Sequence, residues 1–429
     1  MKNHESISHP MRTGLLGEHL SHSFSPQIHA ALAGDRYTYE LFERAPEDVE
    51  DFIKGQEWDA LNVTIPYKQT VMPYLDVITD EALRIGAVNT ITRLPDGRLK
   101  GDNTDYFGFH RTVMACGCDP KDKKALVLGN GGAAATAVTV LSDMGANVIL
   151  LGKSDRSVGG LTPEPYGTVY ERHADAEVVV NCTPVGMYPK FVGQSLIELK
   201  RLPSVKAVFD MVYNPARTAL LQEAISLGIP ARNGLLMLVA QAKRAGELFL
   251  GEALPDGVID DVVASVSRET ENIILIGMPG CGKSTLGKAL AERLGRPFVD
   301  TDALITEAAG RSIPDIFARD GEEVFRTLET EAVKTAGMMS GAVIATGGGV
   351  VTCEGNRAAL SQNGRLVFVK RDLGKLPVAG RPLSQSNPLE ALYARRLPLY
   401  MSFADCEVDN NGPLDCTVEA LLKSLGYQN

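Results

Sequence analysis

The eight residues Gly277-Met278-Pro279-Gly280-Cys281-Gly282-Lys283-Ser284 carry the clearest chemistry in the chain. Glycines at this spacing let successive backbone N–H groups turn toward phosphate oxygens, and the helix expected next, "KSTLGKALAERL", adds its positive N-terminal end. In a G-x-x-x-x-G-K-[ST] pattern Lys283 reaches the β- and γ-phosphates of ATP and the Ser284 hydroxyl ligates Mg²⁺. Gly280, Cys281, Gly282 and Thr285 complete the expected grip. Shortly after it, "FVDTDALI" sets Asp300 and Asp302 on alternate positions at a strand end, pointing to opposite sides. Asp300 is expected to reach the metal through its water shell, and Asp302 to meet the hydroxyl of an acceptor. All seven histidines lie at or before His173, so a carboxylate is the natural proton acceptor or orienter in this part of the chain, and Asp302 is assigned that role.

A second constellation sits upstream. "VLGNGGAAATAVTVL" offers Gly129, Gly131 and Ala134 as G-x-G-x-x-A between a strand and a helix, with Asn130, Gly132 and Ala133 filling the turn. Such a turn grips a dinucleotide's pyrophosphate. About 20 positions on, NAD-type sites want an acidic residue for the ribose 2′-hydroxyl. Here the loop reads "LLGKSDR": Lys153, Ser154 and Arg156 suit a 2′-phosphate and favour NADP, while Asp155 leaves NAD open.

These residues need elements to hold them. The 429 residues allow two or three domains, and 44% hydrophobic with 22% charged residues reads as globular. A net charge of −10 argues against nucleic acid or an anionic membrane as partner. No run is long and apolar enough to span a bilayer, and "MKNHESISHPMR" lacks the apolar middle of a signal peptide, so a cytoplasmic location is expected. Seven scattered cysteines without paired metal spacing suit a reducing compartment. Short apolar runs, "KALVLG", "NVILLG", "EVVVNC" and "VKAVFDM", read as buried parallel strands with crossover helices. "TGLLG" and "ALNVTI" belong to a separate substrate-holding part, and "IILIG", "AVIATGGG" and "RLVFVK" repeat the alternation downstream. The fold class is therefore α/β throughout. The expected domains are a substrate subdomain over 11–107 completed by a helix near 233–250, a Rossmann-like dinucleotide subdomain over 108–232, a linker over 251–271, and a P-loop domain with a parallel sheet over 272–427.

Further motifs narrow the reading. After the P-loop come "GEEVFRTLE", "ATGGGVV", "GRPL" and "RLPLY" in order, and together they resemble shikimate kinase over roughly residues 272–427. The resemblance implies that Asp302 holds ring hydroxyls of shikimate and that Arg326 and Arg396 clasp its carboxylate. It further implies that Gly348 admits the ring closely, and that Arg381, on a lid, neutralises charge on the transferred phosphoryl group. The stretch from Lys370 to Arg381 is shorter than is usual in that family, and an adenine-side arginine is missing, Lys375 being the nearest cation.

Upstream, "GEHLSHSFSPQIH", "NVTIPYK", "GAVNT", "GDNTD", "NCTPVGM", "DMVYNP" and "NGLLMLVAQA" resemble shikimate dehydrogenase over roughly residues 12–250. That resemblance implies Lys68 and Asp105 as the catalytic pair for ketone reduction. Ser23 and Ser25 would bind the substrate carboxylate; Thr64, Asn89, Tyr213 and Gln241 would hold hydroxyls and carboxylate; Met211 and Gly234 would line the nicotinamide pocket. Three positions depart from that pattern: Tyr106 follows Asp105 where glycine is common, the cofactor loop reads "GKS", and Leu236 stands where a second glycine follows Gly234. His22 and His29 are read as structural and Trp58 as core. The expectation is one chain that reduces 3-dehydroshikimate with NADPH and phosphorylates shikimate with ATP and Mg²⁺. Its rivals are a quinate-preferring, NAD-using dehydrogenase joined to the same kinase, and a metabolite sensor built from retired enzyme domains. A sensor would be expected to lose Lys68, Asp105, Lys283 or Asp302, and all four are present.

Overall fold

A computed structural model of the chain describes residues 11–20, 23–55, 57–376 and 389–427. Arg381 and the rest of "GRPL", expected to form the lid, lie outside the described residues, as does His22. The chain divides into two compact units. The first comprises Met1–Val185, Gln194–Tyr213 and Glu223–Val266; the second comprises Gly186–Gly193, Asn214–Gln222 and Ser267–Asn429.

The first unit holds two sheets. One is six-stranded and mixed, built from β1 (Met11–Gly17), β2 (Tyr37–Glu43), β3 (Ala60–Val63), β4 (Val77–Ile78), β5 (Thr90–Arg93) and β6 (Leu99–Asp102) in the order β2-β1-β3-β5-β6-β4. The helices α1 (Ser25–Ala33), α2 (Val49–Lys54) and α3 (Asp80–Ile85) accompany it. Its core gathers Leu16, Leu61, Val88 and Ile91 around Trp58, and Trp58 also donates its indole N–H to the Phe52 carbonyl. The antiparallel register of β5 and β6 sets Thr90 opposite Asp102, so the "GAVNT" and "GDNTD" segments meet side by side.

The second sheet is wholly parallel, as the continuous apolar runs predict: β7 (Lys124–Leu128), β8 (Asn147–Leu151), β9 (Val178–Asn181), β10 (Ala207–Asp210) and β11 (Ala231–Arg232), in the order β11-β10-β9-β7-β8. With it run α4 (Asp105–Ala115), α5 (Gly132–Asp143), α6 (Val169–Arg172), the residues from Glu223 onward of α7 (Ala219–Ser226), and α8 (Leu235–Leu250). Helices α4 and α8 pack closely because Gly108 has no side chain to push against the Met237 carbonyl, which an added Cβ would meet at 2.7 Å. Helix α8 buries Leu235, Val239 and Ala242 with Ile28 and Leu32 of α1. Within the stretch expected as a linker, residues Val258–Thr270 form an amphipathic helix, α9, whose Ile259, Val262 and Val266 join that same core.

The second unit carries a parallel sheet of β12 (Asn272–Ile276), β13 (Phe298–Asp300), β14 (Val343–Ala345), β15 (Gly364–Lys370) and β16 (Cys406–Asp409), in the order β13-β14-β12-β15-β16. Its helices are α10 (Lys283–Leu294), α11 (Thr301–Ala309), α12 (Ile313–Gly337), α13 (Glu354–Ser361), α14 (Leu389–Phe403) and α15 (Leu414–Ser424). Helix α12 is broken at Gly321, whose φ of 83° only glycine adopts cheaply, and the chain restarts there as the helix that carries "EEVFRTLE". The segments Gly186–Gly193 and Asn214–Gln222, which fall within the expected dinucleotide region 108–232, are grouped with this unit. Arg217 explains the second of them: its guanidinium donates to the carbonyls of Ser361 (2.6 Å), the last residue of α13, and Gly364 (2.7 Å), the first of β15.

Candidate active sites

In the first unit the residues of the expected reductase site come from the segments that follow β3 and precede β5, from the starts of α1 and α4, and from α8. Lys68 Nζ donates to Asp105 Oδ2 at 2.6 Å, and both side chains remain partly open, at 28% and 18% exposure. Asp105 is the first residue of α4, and its N–H is held by Asn103 Oδ1 at 3.1 Å. The Lys68 carbonyl accepts from Val88 N–H, which ties the lysine to the segment bearing Asn89. Asn89 is buried, and its Oδ1 accepts from Thr104 N–H (2.8 Å), the Thr90 hydroxyl (3.0 Å) and the Thr104 hydroxyl (3.2 Å). With its oxygen so engaged, the amide NH₂ is left to donate. The Thr104 hydroxyl also reaches Gln241 Oε1 at 3.4 Å. The Thr64 methyl lies beside Gly17, 2.8 Å from where a Cβ there would stand. Ser23 and Ser25 bracket Phe24, whose ring meets Tyr213 edge-on at 6.0 Å between centroids. His29 is structural: it is buried, stacks on Tyr39 at 3.9 Å, and burial lowers its pKa to about 3.

The glycine turn lies at the C-terminal end of β7. Gly129 has φ 103°, and an added Cβ would meet the Thr183 methyl at 2.7 Å. Gly131 and Gly132 face open space, and no side chain caps the start of α5, so its first N–H groups are free for an anion. Ala133 and Ala134 follow in the first turn, Ala134 buried. The amide of Asn130 donates to the Ser154 carbonyl (2.9 Å) and hydroxyl (2.8 Å) and to the Arg156 carbonyl (3.1 Å), which joins the turn to the expected 2′-phosphate loop. Lys153 and Arg156 are exposed, and neither makes an ion pair among the described residues. Gly234 packs its Cα onto the Met211 carbonyl, where no side chain would fit, so these two expected nicotinamide neighbours are in contact.

In the second unit a cavity of about 1450 Å³ opens over the C-terminal ends of β12, β13 and β14. Lys283 Nζ donates to the Gly277 (2.9 Å) and Met278 (3.0 Å) carbonyls of its own loop. Ser284 Oγ donates to Asp300 Oδ2 at 2.7 Å. The expectation that Asp300 and Asp302 alternate along a strand is corrected: β13 ends at Asp300, and Asp302 lies in the first turn of α11. The cause is a helix cap, for Asp300 Oδ1 accepts from Asp302 N–H at 3.0 Å. Asp300 thus faces the P-loop serine, while Asp302 turns into the cavity. Burial, with Asp300 adding repulsion, raises the Asp302 pKa to about 6.

Arg326 and Arg396 approach the same cavity. Arg326 Nη1 pairs with Glu329 Oε2 at 2.6 Å, and its other nitrogens reach Glu322. Arg396, only 2% exposed, donates to the Gly348 carbonyl at 3.0 Å, and Tyr400 OH donates to that carbonyl at 2.6 Å. Side chains are excluded along the triple glycine: a Cβ on Gly347 would meet Glu329 Oε1 at 2.7 Å, one on Gly348 would meet Pro279 at 2.6 Å, and one on Gly349 would strike the Arg326 guanidinium. Asp302 Oδ1, Glu329 Oε1 and Arg396 Nε are buried and find no hydrogen-bond partner among the described residues.

Sequence reasoning missed several of these groups. Glu329 stands three residues after Arg326, and on a helix that spacing shares a face, so the pairing was readable. Thr104 offered no signal of its own. Arg371, just past β15, lines the cavity, with its Nε buried and unpaired and its Nη1 3.3 Å from where a Cβ on Gly282 would stand. It joins Lys375, whose Nζ donates to the Asn411 carbonyl at 3.3 Å, as a cation on that side. Ser284 and Asp300 are hard oxygen donors of the kind Mg²⁺ takes alongside water and phosphate, and among the described residues there is no cluster of three or more His, Cys, Asp or Glu that could hold a metal. No helix among them is long and apolar enough to cross a membrane.

Two family models match the chain: "Shikimate dehydrogenase substrate binding domain" over residues 15–91 and "Shikimate kinase" over residues 279–425. The shikimate dehydrogenase (NADP(+)) of Clostridium beijerinckii is 40% identical over 248 residues, covering 55% of this chain and 90% of that protein. The corresponding protein of Oleidesulfovibrio alaskensis is 37% identical over 269 residues, covering 59% of this chain and 95% of its own length. Among solved structures, the shikimate 5-dehydrogenase of Thermus thermophilus in complex with NADP(H) and shikimate is 31% identical with a TM-score of 0.54, covering 59% of this chain and 99% of that one. A chorismate mutase/shikimate 5-dehydrogenase fusion protein from Clostridium acetobutylicum is 33% identical with a TM-score of 0.55, covering 59% of this chain and 95% of that one.

Proposed function

Because the chain belongs to the shikimate dehydrogenase family and carries a shikimate kinase domain behind that part, we propose that it performs two consecutive reactions. The first unit reduces 3-dehydroshikimate to shikimate with NADPH; the second transfers the γ-phosphoryl group of ATP to shikimate.

For the reduction, the Lys68–Asp105 contact at 2.6 Å is the observation that carries the reading. Bound NADPH supplies the hydride to the ring ketone. The Lys68 ammonium delivers the proton to the oxygen as negative charge develops there, and Asp105, 2.6 Å away, keeps that ammonium aimed. Asn89 donates its amide NH₂ to a ring hydroxyl, and Ser23 and Ser25 act as neutral donors to the carboxylate. The open turn at Gly131 and Gly132 suits a pyrophosphate, and the unpaired cations Lys153 and Arg156 favour a 2′-phosphate over a bare ribose.

For the phosphorylation, the reading is carried by Asp302, Glu329 and Arg396, which line one cavity beside the P-loop and each hold a buried polar atom with no hydrogen-bond partner among the described residues. Unpaired buried polar groups are costly, and a small polyhydroxylated carboxylate would satisfy them. Arg326 and Arg396 receive the carboxylate, and Asp302 takes the proton of the attacking hydroxyl. Lys283 and the loop N–H groups hold the phosphates. Ser284 and, through water, Asp300 would hold a Mg²⁺ that offsets phosphate charge when bound. The test is an assay of purified chain with each substrate set separately, including quinate and NADH as alternatives; silence in either half would overturn that half of the reading.

A further inference from the structure

Tyr106 occupies the position after Asp105, and its ring does more than fill space. The hydroxyl donates to Asp143 Oδ2 at 2.9 Å, while Asp143 Oδ1 accepts from Arg84 Nη1 at 2.7 Å. These three side chains come from three different elements. Arg84 lies on α3, beside the mixed sheet; Tyr106 lies in the first turn of α4; Asp143 is the last residue of α5. The other end of α5 is the glycine turn, so one twelve-residue helix runs from the expected cofactor phosphates to this contact.

The placing of Asp143 is itself costly. A carboxylate at a helix C-terminus opposes the helix dipole. Arg84 and Tyr106 offset that cost: hydrogen bonding to Arg84 holds the carboxyl below its usual range, and burial raises the Tyr106 phenol, so Tyr106 stays a donor and Asp143 an acceptor across neutral pH. The Tyr106 ring lies parallel, within 8°, to that of His110 one turn along α4, with the centroids 6.5 Å apart.

Resting on the reductase reading above, we propose that Tyr106 is a positioning residue for the reduction. Through Asp143 it holds the first turn of α4, and with it the Asp105–Lys68 pair, in register with the helix that grips the dinucleotide. Without this tie the proton donor and the hydride donor, carried on different sheets, lose their fixed separation. The penalty falls on the chemical step, since each ligand still has its own binding groups.

The test is steady-state kinetics on the full chain, with the thermal unfolding of each variant compared with that of the wild type as the measure of folding. Tyr106→Phe, which removes only the hydroxyl, is expected to lower kcat for reduction by about 5- to 10-fold, the scale of a modest misplacement, with the KM for 3-dehydroshikimate within about 2-fold. Asp143→Ala should give the same loss, and the double variant no more than either single one, because both break one tie. Arg84→Lys, which keeps the charge, should retain most of the rate. A Tyr106→Phe chain with unchanged kcat, or a double variant whose losses multiply, would overturn the proposal. A wild-type chain that reduces nothing would instead overturn the reading on which it rests.

Discussion

Glu329 Oε2 lies 2.6 Å from Arg326 Nη1, one turn back along the same helix, and the glutamate is almost wholly buried. The pair fixes the guanidinium beneath the triple glycine, where Gly349 leaves it room. Glu329→Gln keeps the shape but weakens the hold. The KM for shikimate should rise about tenfold, equivalent to ~1.4 kcal/mol, with a smaller change in kcat. Initial rates over a shikimate titration would check this, and an unchanged KM would contradict it.

Lys68→Ala removes the proposed proton donor and leaves Asp105 without its cation. Reduction should fall by about 10²- to 10⁴-fold, the range for losing a positioned acid. Phosphorylation of supplied shikimate should persist at the wild-type rate. Parallel NADPH and ADP measurements on one preparation decide the point, and loss of both activities would mean that the two halves do not act independently.

The pH dependence of phosphorylation follows from Asp302. Burial raises its pKa to about 6, and the proton acceptor must be ionised to work. The rate should therefore be level above neutrality and fall as pH drops through about 6, approaching tenfold per pH unit below it. Asp302→Asn should abolish that inflection along with most of the rate. A profile flat down to pH 5 would remove Asp302 from the base role.

Cofactor choice should reside in the exposed cations of the loop that Asn130 holds. Lys153→Ala combined with Arg156→Ala should raise the KM for NADPH by about 10- to 100-fold, through lost charge-assisted bonds to the 2′-phosphate, and change the KM for NADH little. Equal effects on both cofactors would show that these side chains serve the loop and not the phosphate.

Periodicity and glycine spacing made much of this architecture readable in advance. Buried parallel strands are continuous apolar runs, and β7, β9, β12 and β15 announce themselves as such. The P-loop was legible because its residues are contiguous. What escaped depends on the chain meeting itself at long range or on local capping. Asp302 left the strand because the Asp300 side chain caps a helix there. The Thr104 hydroxyl acquires a role only through Asn89 and Gln241, fifteen and 137 positions away. Arg217 joins the second unit through carbonyls about 144 positions on. The resemblance to known families placed Lys68 beside Asp105, a contact that no spacing rule could have given across 37 residues.

The central claim is that one chain makes shikimate and then phosphorylates it. Purified protein would be given 3-dehydroshikimate, NADPH, ATP and Mg²⁺ with no added shikimate, while NADPH absorbance and ADP are followed together. The account predicts NADPH loss at once, with ADP appearing after a lag and the final ADP matching the NADPH consumed. NADPH loss without ADP, or no NADPH loss at all from folded protein, would contradict it.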